Sequence, residues 1–570
     1  MQDADPGPRD VDVAVCGGGL AGLSFALQLR RELPERSVVV LESEARPLPA
    51  AAYKVGEATT EIGAYYLCKH LGLEKHLQEE HVRKAGLRFF FPAEGDFARR
   101  PEAGTARLAP APSYLVDRGR LETELRERCE RAGARLVEGV RVEDIELGTG
   151  DAPHRVRYRR RGAEAFETLA CRWVADALGR RGLLQRKLGL LRRPPSPNAA
   201  AWFRVEGTID VETWVPPEER AWHERVSRVR RVQSTSHLVD AGRWIWIIPL
   251  AGGHTSVGIV FSREFHALER FRNLDGALAW LAEHEADLAA ALEGREVLDY
   301  RRLAGYSHTT RRLHSEQRWS CLGDAASFAD PMYSPGFDLI GLGNCVGVDL
   351  VRRCFAGELD AALAAEQSRF LAAINDGITR NVQRAYGFLG NPHVMAAKIL
   401  WDTGAAWAVL GPNLFGGLVT DVEGRRRARK ITSRFFGLTL AVQQMFEQWA
   451  RLPLRRPAFE FVDYLAMPSL LRVHERNLRD DRSLDEILAG QAEDMRWLEE
   501  LAQVLFLIAL EDTRPERMAD LPDPLWLNAW GVSLDPERWE KTRLLQPDSE
   551  PRDLGPLRRE VEGLLRPARR

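Results

Sequence analysis

The chain has 570 residues, of which 45% are hydrophobic, so it can bury a large core and is expected to divide into two or three domains. Its 80 basic and 82 acidic residues nearly cancel to a net charge of −2, which argues against a nucleic-acid-binding protein. The seven cysteines include no CxxC pair, so we expect small buried residues rather than a metal site or a disulfide framework.

Residues 1–10 are polar and rich in turn-forming residues, without the basic start or the apolar stretch of a secretory signal, and we predict a disordered tail. No apolar run reaches the length of about 18 residues that indicates a membrane-spanning helix. The sequence therefore predicts a cytoplasmic protein without a membrane partner.

A glycine-rich loop joins the first predicted strand to the first predicted helix. Residues 11–16 form an apolar strand, Gly17, Gly19 and Gly22 fit the pattern G-x-G-x-x-G, and residues 23–32 have the amphipathic spacing of a helix. In such a loop the first glycine makes the turn, the second lets the backbone approach a diphosphate, and the third packs the helix on the strand.

A second predicted strand, residues 37–42, ends at Glu42, twenty positions after Gly22. A βαβ unit places the carboxylate that binds a ribose at this offset. A strand, turn and helix without a ligand would not need that carboxylate, so we expect the loop to bind a dinucleotide. No second G-x-G-x-x-G follows a strand, since the G-x-G at residues 341–343 lies inside a predicted helix, so a separate nicotinamide domain is not expected.

Three segments between residues 54 and 249 carry further recognisable patterns. Residues 54–59 read K-V-G-E-A-T, and Lys84 follows in the setting R-K-x-G. Trp244 and Trp246 belong to the pattern W-x-W-x-I-P on a predicted strand. Because residues two apart share a face of a strand, the two indole rings should form one wall, although paired tryptophans are also common in an ordinary sheet core.

Another predicted strand ends at Gly323 and Asp324, before a loop that contains Pro331 and a helix that starts near Gly336. An aspartate after a strand-ending glycine can bind a ribityl hydroxyl, and the N-terminus of the following helix would face a flavin ring.

These motifs resemble those of FAD enzymes built like p-hydroxybenzoate hydroxylase. Residues 114–122 resemble the segment of that family in which an arginine, here Arg118, contacts the cofactor, and residues 174–180 resemble its weaker third motif. The resemblance implies that FAD is the cofactor and that Pro331 and Gly336 lie beside it.

The V-G-E segment, the R-K-x-G lysine and the tryptophan motif together resemble the flavin-dependent halogenases of the tryptophan and phenol types. The resemblance implies that FAD, reduced by a separate flavin reductase, forms a flavin hydroperoxide with O2. It further implies that Lys84 receives the active halogen derived from chloride or bromide. Trp244 and Trp246 would keep the substrate, a small aromatic molecule that is free or carrier-bound, away from the flavin. A solvated Lys84 at a helix end is the alternative interpretation.

The chain departs from the halogenase pattern at three positions. Tyr333 stands where tryptophan halogenases have a glutamate, and Glu61 stands where a proline is usual. Pro335 replaces a residue whose backbone N–H helps to hold halide, and proline has no N–H to donate. A monooxygenase or oxidase on the same scaffold, and a binding protein that has lost the cofactor, therefore remain as alternatives.

The predicted fold class is α/β, with a Rossmann-like FAD-binding βαβ domain interleaved with an antiparallel-sheet substrate domain. The FAD-binding domain is assigned to residues 11–60, 105–190 and 300–375, and the sheet domain to residues 61–104 and 191–299. Residues 376–570 are predicted to be a helical C-terminal domain that covers the substrate pocket. Within it, the basic run at residues 425–430 is either a solvated helix face or a docking site for an acidic carrier domain or a reductase.

Overall fold

The structure is a computed structural model that describes residues 11–49, 54–193, 197–454, 458–523, 525–547 and 551–566. The predicted disordered tail lies outside these residues. The described residues form two eight-stranded sheets, two short strand pairs and a set of helices that is densest towards the C-terminus.

The bounds of the strands and helices follow in chain order. The strands are β1 (Val11–Cys16), β2 (Val38–Glu42), β3 (Val82–Arg83), β4 (Leu87–Phe90), β5 (Glu102–Gly104), β6 (Tyr114–Leu115), β7 (Arg135–Glu138), β8 (Val140–Glu146), β9 (His154–Arg160), β10 (Glu167–Asp176), β11 (Leu191–Arg192), β12 (Asn198–Glu206), β13 (Thr235–Asp240), β14 (Arg243–Pro249), β15 (His254–Ser262), β16 (Val297–Leu303), β17 (Thr309–Thr310), β18 (His314–Ser315), β19 (Trp319–Cys321) and β20 (Phe461–Asp463). The α-helices are α1 (Leu20–Glu32), α2 (Glu61–Tyr65), α3 (Glu74–Glu80), α4 (Arg118–Arg131), α5 (Leu183–Lys187), α6 (Arg220–Glu224), α7 (Leu274–His284), α8 (Ala286–Leu292), α9 (Gly336–Ala356), α10 (Ala361–Ala385), α11 (Pro392–Ala405), α12 (Gly411–Leu414), α13 (Val422–Arg451), α14 (Pro468–Leu478), α15 (Leu484–Thr513), α16 (Trp539–Thr542) and α17 (Gly555–Leu565). Two π-helical turns, Tyr66–His70 and Ala406–Leu410, follow α2 and α11.

The first sheet contains the predicted βαβ unit. Its order is β18-β19-β10-β1-β2-β7, with β9 and β8 continuing from the first half of β10. The central strands β19, β10, β1, β2 and β7 run parallel. Helix α1 connects β1 to β2 and packs against α4 and α9, and the side chains of Val13 and Val15 on β1 are fully buried. Such burial is typical of a parallel sheet enclosed by helices.

The second sheet has the order β16-β12-β15-β14-β13-β4-β5-β20 and is mostly antiparallel. It differs from the predicted antiparallel sheet in two pairs, β13 with β4 and β5 with β20, which are parallel. The difference arises because β4 and β20 come from distant parts of the chain, so no hairpin dictates their direction.

The two faces of the second sheet have different roles. Ile245 and Ile247 on β14 point to one face, where they pack in a cluster with Phe271 and Trp280. Trp244 and Trp246 point to the other face, where their cluster includes many side chains of the C-terminal helices. The alternation expected from the sequence is therefore observed, and it turns the two indole rings toward the space between the sheets.

The structure differs from the predicted domain boundaries at two places. Residues 61–81, which the sequence assigns to the sheet domain, pack in the core around the first sheet. A Cβ atom on Gly63 of α2 would lie 2.5 Å from the Cβ atom of Phe337, so a bare glycine lets α2 approach α9. In the C-terminal region, which is otherwise helical as predicted, β20 joins the edge of the second sheet.

All seven cysteines are free, and six of them are buried; Cys68 is half-buried, which differs from the expectation for this one residue. In the part of the chain that the structure describes, no helix is long and apolar enough to cross a membrane.

Candidate active site

The glycine-rich loop leaves an open space above the N-terminus of α1. A Cβ atom on Gly17 would lie 2.3 Å from the carbonyl oxygen of Ala177, and one on Gly22 would lie 1.9 Å from that of Gly17. A Cβ atom on Gly19, in contrast, would meet nothing within 4 Å. Gly17 and Gly22 are therefore required by packing, whereas Gly19 borders a space that can accommodate a diphosphate.

Glu42 lies at the end of β2, beside this loop. One carboxylate oxygen accepts a hydrogen bond from the backbone N–H of Gly18 at 2.5 Å, and the other accepts one from the backbone N–H of Glu44 at 2.8 Å. These bonds fix the carboxylate next to the open space, in the arrangement by which a βαβ unit binds a ribose.

A cleft of about 1380 Å³ lies between the two sheets; we call it the first cleft. Both tryptophans and most of the predicted cofactor residues line this cleft: Arg118, Trp244, Trp246, Gly323, Asp324, Pro331 and Gly336. The four predicted cofactor residues that do not line it are the three loop glycines and Glu42. The structure thus brings together residues that are more than 200 positions apart in the sequence.

Two polar side chains of the first cleft have unused hydrogen-bonding capacity. Burial raises the pKa of Asp324, and no described residue donates a hydrogen bond to its carboxylate. The guanidinium of Arg118 donates to the carbonyl of Val55 at 2.7 Å and to Glu122 at 2.6 Å, but its buried Nε has no partner among the described residues. A carboxylate acceptor and a guanidinium donor that face the same cleft fit the ribityl hydroxyls and the polar edge of a flavin.

The two tryptophans of the first cleft are held in place by hydrogen bonds. The indole N–H of Trp244 donates to the hydroxyl of Tyr386 at 3.0 Å, and that of Trp246 donates to Ser256 at 3.1 Å. Tyr386 in turn donates to the buried carboxylate of Asp330 at 2.7 Å. The wall is therefore a fixed part of the cleft, since each ring satisfies its polar atom away from the opening.

A second cavity, of about 1430 Å³, lies between α9, α10, α11, α13 and the segment that carries Lys84. Its apolar wall includes Phe370, Ile374, Trp407, Phe435 and Phe436. Pro335 lines both the first cleft and the second cavity, so the two spaces meet at the start of α9.

Lys84 faces the second cavity as a buried amine, only 3% exposed, which removes the interpretation of a solvated lysine. Its Nζ donates a hydrogen bond to the carbonyl of Thr59 at 2.8 Å. Burial lowers the pKa of Lys84 to about 8, although the carboxylates of Glu61 and Asp338 oppose this shift. A substantial neutral fraction of the amine is therefore present near pH 8.

Asp338 is a buried acid in the first turn of α9. Burial raises its pKa to about 7, while a hydrogen bond of 2.6 Å from Thr60 opposes the rise. Asp338, Glu61 and Lys84 all line the second cavity, so two carboxyl groups and an amine meet there.

Tyr333 and Asp402 lie together on the wall of the second cavity. Burial, followed by the neighbouring Asp402 carboxylate, raises the pKa of Tyr333 well above its usual value. The sequence motifs include neither Asp402 nor Asp338, and the signal that could have found Asp402 was a charged residue in a largely apolar helical segment. Within the described ranges, no group of His, Cys, Asp and Glu side chains could hold a metal ion.

Comparison with known proteins gives consistent results. The model of the FAD binding domain family matches residues 10–339. The flavin-dependent halogenase chlA of Dictyostelium discoideum is 26% identical over 440 residues, which cover 71% of each chain. The 1H-pyrrole-2-carbonyl-(peptidyl-carrier protein) chlorinase of Pseudomonas fluorescens is 27% identical over 357 residues, which cover 58% of this chain and 72% of that protein.

Solved structures show the same fold. Halogenase PltM in complex with phloroglucinol and FAD has a TM-score of 0.61 at 17% identity and covers 86% of this chain and 96% of its own. The family model spans more than half of the sequence and ends within α9, so it includes both the glycine-rich loop and the pair Gly323 and Asp324. The chain therefore belongs to the FAD-binding domain family, with FAD as its cofactor, and it is an oxidoreductase-type flavoenzyme related to the flavin-dependent halogenases.

Proposed function

We propose that the protein is an O2-dependent halogenase that delivers an electrophilic halogen through Lys84 to a small aromatic substrate in the second cavity. The observation that carries this proposal is the buried amine of Lys84, which faces an apolar cavity that meets the cofactor cleft at Pro335. Burial of a lysine costs folding free energy, because it disfavours the charged form of the amine. A chemical role for Lys84 would explain why this cost is tolerated.

The residues that would hold FAD are those of the loop and the first cleft. The backbone around Gly19 would bind the diphosphate, Glu42 the ribose, and Arg118 and Asp324 the flavin end. When bound and reduced, FAD would supply two of the four electrons that O2 needs, and the halide would supply the other two. The amides of Gly336 and Phe337 begin α9 without a side-chain cap, and they would bind the halide near the cleft.

Lys84 would act on the oxidised halogen in the second cavity. Its neutral amine would attack hypohalous acid, so that an N–halogen bond forms while an N–H proton and hydroxide leave as water. A pKa of about 8 makes this neutral form accessible at physiological pH. The halogen would then pass from nitrogen to a ring carbon while the nitrogen takes a proton from one of the carboxylic acids that line the cavity, and the displaced ring proton would return to that carboxylate, which restores the amine.

The partners follow from the same reasoning. The chain has one G-x-G-x-x-G loop that follows a strand, so a separate flavin reductase would supply the reduced cofactor. The exposed arginines of the run at 425–430 lie on α13, whose Phe435 and Phe436 line the second cavity, so a carrier-bound aromatic substrate could also be presented at this face.

The experiment is turnover of holoenzyme with a flavin reductase, NADH, O2 and bromide, on a panel of electron-rich aromatics, with products identified by mass spectrometry. Lys84→Met should abolish products that carry the bromine isotope pattern while the visible absorbance of bound FAD remains. The surface variant Lys187→Met, which removes an exposed lysine paired with Asp144, should keep both. Undiminished brominated product from Lys84→Met would overturn the assignment of Lys84.

A flavin monooxygenase on the same scaffold is the second candidate, and Pro335 is the observation that favours it. Proline offers no N–H at a position beside the cleft where a halide would need one. In that case the same reaction would give products that gain one oxygen atom, with and without bromide, and Lys84→Met would leave them unchanged.

A further inference from the structure

Helix α11 carries an ion pair where its surroundings are apolar. Ten of its 14 residues are buried, and they include Lys398, which is fully buried; Asp402 follows one turn later. Lys398 Nζ lies 2.9 Å from Asp402 Oδ2. A buried ion pair is at best a weak contribution to stability, so its position calls for another explanation.

Gln443 of α13 holds both members of this pair. Lys398 donates a hydrogen bond to Gln443 Oε1 at 2.6 Å, and Gln443 Nε2 donates one to Asp402 Oδ1 at 2.8 Å. The carboxylate therefore has a balanced charge and a fixed orientation. A group held in this way is suited to bind a ligand at a defined position, because little ordering remains to be done on binding.

The Asp402 carboxylate lines the second cavity beside the hydroxyl of Tyr333. That hydroxyl is buried and forms no well-aligned hydrogen bond with any described residue. The helix also changes to a π-helix immediately afterwards, at Ala406–Leu410, and this turn supplies Trp407 and Leu410 to the cavity wall. π-helical turns occur frequently at functional sites.

The charges around the second cavity restrict what can bind there. The carboxylates of Glu61, Asp338 and Asp402 line it, and Lys84 is the one cationic side chain among the described residues of its wall. An aromatic carboxylate would therefore meet like charges, whereas a neutral aromatic ring would meet the apolar wall.

We propose that Asp402 and Tyr333 bind an aromatic hydroxyl group of the substrate and thereby set which ring carbon faces Lys84. The inference rests on the proposed function for the role of Lys84, but the binding itself does not. A hydroxyl group matches both partners, since its O–H donates to the Asp402 carboxylate and its oxygen accepts from the Tyr333 O–H. A pyrrole-type N–H could satisfy Asp402 alone.

The test measures binding without turnover. Oxidised holoprotein, with no reductase or halide, is titrated by calorimetry with three aromatic alcohols, phenol, 2-naphthol and 7-hydroxycoumarin, and with the methyl ether of each. In the unmodified protein at least one alcohol should bind about tenfold more tightly than its ether, the ratio expected for a hydrogen bond to a charged group. The anion 2-naphthoate should bind more weakly than 2-naphthol.

Asp402→Asn should reduce the alcohol-to-ether ratio to near one, and Tyr333→Phe should reduce it in part without any change of charge. The matched control is Asp494→Asn, which alters another buried helical carboxylate, held by Arg476 at 2.5 Å and Asn477 at 2.7 Å, that does not line either space. Retained FAD absorbance shows that each variant is folded.

An unchanged ratio in both Asp402→Asn and Tyr333→Phe, or no preference for any alcohol in the unmodified protein, overturns the inference. Failure of the proposed function looks different. Suppose that Asp402→Asn abolishes the preference for the alcohol over its ether, but the unmodified enzyme gives no brominated product. The hydroxyl-binding site is then supported, and the halogenase function is rejected.

Discussion

Gly19 and Gly22 lie three residues apart in the cofactor loop, but different physical constraints require a glycine at each position. Alanine at Gly22 would place its Cβ 1.9 Å from the carbonyl oxygen of Gly17, whereas alanine at Gly19 would meet no protein atom within 4 Å. Gly19 has an extended backbone with φ of −83°, which alanine adopts without strain. Substitution of Gly22 therefore tests packing within the protein, whereas substitution of Gly19 tests ligand binding.

We expect Gly19→Ala to leave the melting temperature of the apoprotein unchanged and to weaken FAD binding by at least tenfold, because the methyl group occupies the space for the diphosphate. Gly22→Ala should lower the melting temperature of the apoprotein itself. Thermal unfolding without cofactor and quenching of FAD fluorescence measure the two effects. Normal FAD affinity in Gly19→Ala would mean that the diphosphate lies elsewhere.

Burial of the Lys84 amine should lower the free energy of unfolding at neutral pH. Its pKa is lowered from 10.5 to about 8 by burial, so below pH 8 the folded protein holds a charge that burial disfavours. Between pH 8 and 10.5 the unfolded chain binds a proton that the folded chain does not, and stability therefore rises with pH in that window. The full shift corresponds to about 3 kcal/mol.

Lys84→Met should accordingly be more stable than the unmodified apoprotein at pH 7, by about 2 kcal/mol once Asp338 has taken up a proton in compensation. The difference should shrink as the pH rises from 8 to 10, because the unmodified protein then loses its charge. Urea unfolding at pH 7, 8.5 and 10 gives the comparison. A variant that is less stable at pH 7 would show that Lys84 contributes net favourable contacts.

At the scale of elements, the sequence was sufficient for the parts that depend on local patterns. The strand, loop and helix at Gly17 lie within residues 11–32, and the alternation of Trp244 and Trp246 lies within one strand, so periodicity and glycine spacing reveal them. The second cavity is different. Asp402 comes from α11, which is buried on most of its faces, and only tertiary packing decides which of those faces borders a cavity.

The start of α9 gives a prediction for halide binding. Pro335 precedes the first turn, no side chain caps the helix, and the helix dipole favours an anion at this end. Pro335→Ala restores an N–H group that proline lacks, so the KM for bromide should fall by about tenfold, the effect of one charge-assisted hydrogen bond. Pro335→Ser serves as the matched variant, since it adds the same N–H together with a hydroxyl.

Steady-state bromination at varied bromide concentrations measures this effect. Equal gains in the alanine and serine variants attribute the effect to the backbone N–H, whereas a gain in serine alone would attribute it to the hydroxyl. An unchanged KM in both variants would place the halide away from α9.

At the scale of the whole molecule, the first cleft exists because two sheets meet along it, and a buried cation ties them together. Arg204 of the second sheet is fully buried and lies 2.7 Å from Glu57 of the V-G-E segment and 2.7 Å from Asp299 of β16. The backbone carbonyl of Glu57 accepts a hydrogen bond from the N–H of Val116, two residues before α4 begins, and α4 packs on α1. Glu57 also lines the first cleft, so this ion pair fixes one wall of the cofactor site.

Removal of the Arg204 guanidinium should therefore affect both the contact between the two sheets and the wall of the first cleft. Arg204→Met leaves the carboxylates of Glu57 and Asp299 buried without their cation, which should lower the free energy of unfolding by about 3–5 kcal/mol at pH 7.5. Burial already raises the pKa of Glu57, and loss of Arg204 should raise it further. Protonation of Glu57 then relieves the penalty, so the deficit should become smaller as the pH falls from 7.5 to 5.5.

The second substitution Glu57→Gln separates charge from packing. If an uncompensated carboxylate causes the deficit, Arg204→Met with Glu57→Gln should be more stable at pH 7.5 than Arg204→Met alone, and its stability relative to the unmodified protein should depend less on pH. Urea unfolding of the three proteins at both pH values, with FAD affinity measured in parallel, makes the comparison. A double variant that is less stable than Arg204→Met would show instead that side-chain packing at this contact, rather than its charge balance, holds the two sheets together around the cofactor.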